Sequence, residues 1–117
     1  MVRLLRLMIY LFAAKRYLSQ LYNSYHDESQ MKAKSDLCEE LLRVFDILDP
    51  GLSQTRGFTL FQLALAQMAL QKLSGQESLK SNIIDNLRKA CECLKFEPEG
   101  TLGHSQRLKA EHLLKNL

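Results

Sequence analysis

Tryptophan is absent from this 117-residue chain, and there are only 2 prolines and 5 glycines. So few helix breakers leave room for long uninterrupted helices. Alternating runs of β-branched residues, the mark of half-buried strands, do not occur either, so a sheet is not expected. Cysteine is sparse and odd in number: Cys38, Cys91 and Cys93. A secreted disulfide scaffold of this size would carry more cysteines, in even number, between loops. Cys91 and Cys93 lie two apart on an expected helix and point in different directions. They read as reduced, buried or half-buried thiols in a reducing compartment. Zinc would need further Cys or His at ligand spacing, which His26, His104 and His112 do not supply, so no metal or cofactor is expected. A strong charge of one sign is missing as well. With 16 Lys and Arg against 13 Asp and Glu, the net charge is only +3. Nucleic-acid binders carry a clustered basic face, so no nucleic-acid partner is expected.

What is present describes an ordinary globular chain, with 46% apolar and 25% charged residues. The length suits one domain, residues 1–117, with one core. The start imitates a secretory leader: Met1-Val2-Arg3, an apolar stretch from Leu4, then the small pair Ala13-Ala14. Arg6 interrupts that stretch, and the unbroken run from Leu7 to Ala14 is far too short to cross a membrane. Leu4, Leu7, Leu11, Ala14, Leu18, Leu21 and Tyr25 recur at steps of three and four. They form one stripe that continues well beyond Ala14. The expected element is a buried amphipathic helix, in preference to a leader, an anchor or a membrane-surface helix.

Four further helices are expected. The first runs from about Asp27 to Leu48, with Leu37, Leu41, Val44, Phe45 and Leu48 on one face. It starts near Ser29, or near Ser35 if Asp36 and Glu39 form a capping box. Asp49-Pro50-Gly51 ends it, because proline disfavours helix in the preceding residue and glycine permits the reversal. The next begins within Ser53 to Thr55 and carries Phe58, Phe61, Ala64, Leu65, Met68 and Leu73 to a stop at Ser74-Gly75. Leu60, Leu63 and Leu70 lie off that stripe, so this helix is apolar nearly all round and belongs at the centre. Another spans roughly Glu77 to Phe96, with Leu79, Ile83, Leu87, Ala90, Cys91 and Leu94 at helical spacing. Glu97-Pro98-Glu99-Gly100 ends it, and a short helix from about Ser105 to Leu117 follows. The fold class is therefore all-α, an antiparallel bundle of about five helices in tetratricopeptide-like hairpins. Its expected core is Leu41, Phe45, Phe61, Leu65, Met68, Ile83, Leu87 and Leu94.

Candidate chemistry is thin. His104-Ser105 and His112 with Glu111 could suggest a base and a nucleophile, but no third group is placed to orient them. Asp46, Asp49, Glu97 and Glu99 lack calcium-loop spacing and read as turn and loop residues. Tyr10, Tyr17, Tyr22 and Tyr25 read as helix-packing edges or a partner groove, and Met8, Met31 and Met68 as core fillers. No catalytic residue is assigned.

The two proline stops repeat one punctuation, apolar residue, acid, proline and then glycine: Leu48-Asp49-Pro50-Gly51 and Phe96-Glu97-Pro98-Glu99-Gly100. Leu48 to Gly57, followed by the apolar helix, resembles a C-terminal helical segment of SET and MYND domain proteins, above all their arthropod branch. Leu94 to Gly103 is similar to that family's closing turn before its last helix. The likeness spans about Tyr22 to Leu117. It implies a tetratricopeptide-like helical tail that packs beside a SET domain and contacts partner proteins. Methyl transfer in that family needs an Asn-His motif, a tyrosine and a glycine-rich segment around S-adenosylmethionine, and a zinc-binding MYND module accompanies them. This sequence has no Asn-His pair, no such glycine-rich segment and no MYND cysteines. The catalytic role does not carry over, and the chain is a fragment, a truncated product or a stand-alone descendant of the tail.

The expected function is non-catalytic protein interaction, with a protein partner or a SET domain in the same or another chain, in cytoplasm or nucleus. A lysine-methyltransferase fragment and a membrane-anchored or secreted helical protein are the alternatives. The N-terminal stripe separates the last of these. Burying an apolar side chain is worth roughly 1.5–3 kcal/mol, against a total stability of about 5–15 kcal/mol. Deleting residues 1–21 should therefore cause aggregation or dye binding and lower the melting temperature. Improved solubility with unchanged melting would identify a leader or anchor instead.

Overall fold

The computed structural model describes residues 27–48 and 53–117. Asp27 starts the first described helix: its Oδ1 accepts from the N–H groups of Ser29 and Gln30 at 2.9 and 3.3 Å. Two amides that a helix start leaves free are thereby satisfied. Helix α1 (Glu28–Leu48) then runs without a break. The alternative start near Ser35 is not used. Ser35 is buried inside the helix, and Asp36 pairs with Lys32 one turn earlier at 3.1 Å instead of serving a capping box. Asp49, Pro50 and Gly51 lie outside the described residues, as do His26, the four tyrosines and the stripe from Leu4 to Tyr25.

Helix α2 (Ser53–Ser74) stops where Gly75 adopts φ 71°, a left-handed conformation that costs glycine nothing. The Gly75 N–H donates to the Gln71 carbonyl at 2.9 Å. A single 3₁₀ turn, Glu77–Leu79, leads into α3 (Lys80–Leu94). The expected span to Phe96 is too long at its end: the α-helix closes at Leu94, and Phe96 is 87% exposed.

Helix α4 (Leu102–Lys115) begins three residues before the expected Ser105. The cause is Thr101, whose Oγ1 accepts from the His104 N–H at 3.2 Å and donates to the Pro98 carbonyl at 2.6 Å. One hydroxyl thus ties the helix start to the proline turn. In that turn Gly100 takes φ 85°, and Gly103 lies against Glu97.

Successive helices run antiparallel, as the cross-contacts show. Asp46 near the end of α1 pairs with Arg56 near the start of α2, while Met31 packs on Ala66 and Leu70 at the other end. Gly57 abuts Leu94, and the Asn86 amide donates to Gln67 Oε1 at 2.8 Å. Arg107 of α4 reaches back to the Lys95 carbonyl at 3.0 Å. The four described helices pack into a compact, all-α globule in which α2 touches α1, α3 and α4.

The core lies between α2 and α3: Leu60, Phe61, Ala64, Ile83, Leu87 and Ala90, closed from α4 by Ala110. Leu41, Phe45 and Leu94 are buried as well. Leu65 and Met68 are not. Both are half-buried at the rim, packed against the core from outside. Leu60, Leu63 and Leu70 take the interior instead, because α2 turns its off-stripe leucines towards its neighbours. Leu73, at 41% exposure, also falls outside the core.

A pair of glycine substitutions tests this packing. A Cβ on Gly57 would sit 2.7 Å from Leu94 Cγ and 2.8 Å from Cδ2. Leu94 is fully buried and has nowhere to move. A Cβ on Gly103 would meet the half-buried Glu97 side chain, 2.5 Å from its Cγ, 2.8 Å from Cδ and 3.1 Å from Cβ. Overpacking a core costs typically about 1–3 kcal/mol, whereas alanine for glycine inside a helix gains up to about 1 kcal/mol. Thermal melts should show Gly57→Ala the more destabilised of the two, because the half-buried Glu97 side chain yields more readily than the fully buried Leu94. The reverse order would contradict the α2–α3 approach.

Candidate functional site

One face of the described bundle presents apolar surface that no described residue covers. Phe61, Gln62 and Leu65 of α2 face Leu102, Gln106, Lys109, His112 and Leu113 of α4, with Leu108 beside them. Between them lies an open groove of about 570 Å³. Phe61 is buried and forms its floor, Leu65 and Leu113 are half-buried in its walls, and Leu102 and Leu108 are 64% and 47% exposed.

The groove follows from how α4 is held. Leu102, Gln106, Lys109 and Leu113 recur at steps of three and four and share one helix face. Ala110 is the small residue through which α4 meets the α2–α3 core. With Ala110 and the half-buried Leu113 and Leu114 packed there, no described residue covers the rest of the apolar face.

The groove's polar lining is Gln62, Gln106, Lys109 and His112. Its ionisable residues are Lys109 and His112, with no carboxylate among them. Gln106 Oε1 is buried, with no hydrogen-bond partner among the described residues.

The groups considered for catalysis are engaged locally. His104 is half-buried, and its backbone N–H donates to the Thr101 hydroxyl oxygen at 3.2 Å. His112 is exposed, with the Asn116 amide 3.3 Å from its Nε2 and 3.0 Å from its carbonyl oxygen. Glu111 faces Arg107 at 3.6 Å. Asp46 belongs to the Arg56 pair, while Glu97, Pro98 and Gly100 build the α3–α4 turn. Among the described residues, no group of three or more His, Cys, Asp or Glu is placed to hold a metal ion. No described helix is long and apolar enough to cross a membrane.

The sequence reading missed two buried polar features. Lys34 and Cys38, one turn apart on α1, are both fully buried. Burial holds the Lys34 ammonium below its usual range, against an opposing influence of Cys38. Burial pushes the Cys38 thiol from its ordinary 9.0 up to about 12, with Lys34 opposing and Glu39 reinforcing. Gln67, also buried, is satisfied by Asn86. A lysine at a helical core position was the available signal for Lys34; for Gln67 and Asn86 there was none, because they meet only across two helices. Cys91 and Cys93 are half-buried, and burial raises both, with Glu111 adding for Cys91 and Arg56 opposing for Cys93. All three cysteines are free thiols.

No protein-family model, no curated protein and no solved structure matches this chain.

The buried thiol and amine make alkaline stability diagnostic. From pH 9.0 to about 12 the folded state keeps the Cys38 proton that the unfolded state loses. Stability must therefore fall as pH rises through that window, by at most about 1.4 kcal/mol per pH unit. Lys34 acts oppositely, because unfolding takes up its proton, but only below 10.5. Between pH 10.5 and 12 Cys38 acts without that offset. Urea melts of Cys38→Ala should show a shallower alkaline decline than the parent chain. Equal slopes would mean that Cys38 is exposed.

Proposed function

We propose that this chain is a non-catalytic protein-interaction domain, a helical scaffold that presents its α2–α4 groove to other protein. The observation that carries this reading is the groove itself, with Leu102 and Leu108 left in water. An apolar groove between two helices suits the docking of a partner helix. In the finer architecture of this proposal, the stripe from Leu4 to Tyr25 supplies a fifth helix. The antiparallel pairs then stack as tetratricopeptide-like hairpins, in the manner of the C-terminal tail of SET and MYND proteins.

The partner in this reading is a SET domain, in the same or another chain, or a further protein, in cytoplasm or nucleus. Support comes from the two proline-turn motifs, of which the described one, Glu97-Pro98-Glu99-Gly100, joins α3 to α4. No methyl transfer is assigned, because the Asn-His motif and the cofactor-binding glycines of that family are missing from the sequence.

Two measurements on the purified full chain test this. Titration calorimetry with S-adenosylmethionine should show no saturable site. Size-exclusion chromatography with a SET-domain protein deprived of its own helical tail should show co-migration. A stoichiometric S-adenosylmethionine site would sink the non-catalytic reading, and absence of co-migration would remove the SET domain as partner.

A further inference from the structure

We draw no further inference here: the strongest candidate, the open apolar groove between α2 and α4 lined by Phe61, Leu65, Leu102 and Leu113, belongs to the interaction reading already proposed, and nothing in the structure shows what covers it.

Discussion

The contact between α2 and α3 is the constraint on which the rest of the bundle depends. Leu60, Phe61 and Ala64 meet Ile83, Leu87 and Ala90, and Gly57 lets Leu94 come against the α2 backbone. Each buried aliphatic or aromatic side chain contributes roughly 1.5–3 kcal/mol, so this layer holds the largest concentrated share of the described core. The other helices attach to it. Met31 of α1 docks on Ala66 and Leu70, and Ala110 of α4 closes the opposite side.

Polar contacts set the register within that frame. The Asn86–Gln67 hydrogen bond joins α3 to α2 across a partly buried interface. A sliding of one helix would leave both amides unsatisfied at a cost of about 1–3 kcal/mol each. Arg56 and Asp46 tie the end of α1 to the start of α2, and Arg107 ties α4 to the last turn of α3. Surface pairs such as Lys89–Asp85 add little, since exposed ion pairs are worth about 0–1 kcal/mol.

The same arrangement explains why the groove lies where it does. Helix α4 is anchored at its start by the Thr101 cap and along its length by Ala110 and Arg107. Those attachments direct α4 chiefly against α3. Its Leu102 and Leu108 have no described neighbour to cover them, and Leu65 of α2 remains half-buried opposite.

Much of the local structure was legible in the sequence. Gly75 marked the end of α2 because only a left-handed residue continues there without strain. The all-round apolar character of residues 58–73 placed that helix at the centre, and α2 does touch the other three. These are properties of short segments, decided by backbone freedom and periodicity. The start of α4 was misread at Ser105, because the Thr101 hydroxyl competes as a cap and is held by the Pro98 carbonyl beyond the helix.

Which faces became interior was decided only by the tertiary structure. A helix apolar on every side has no preferred direction of burial. The positions of α1 and α3 therefore chose Leu60, Leu63 and Leu70 over Leu65 and Met68. The interior place of Lys34 beside Cys38, and the open groove lined by Leu102 and Leu108, have the same origin. Sequence alone located the four described helices and the stop of α2 at Gly75, because caps and glycines act within a few residues. Burial and exposure were settled by packing, because they depend on neighbours that are remote along the chain.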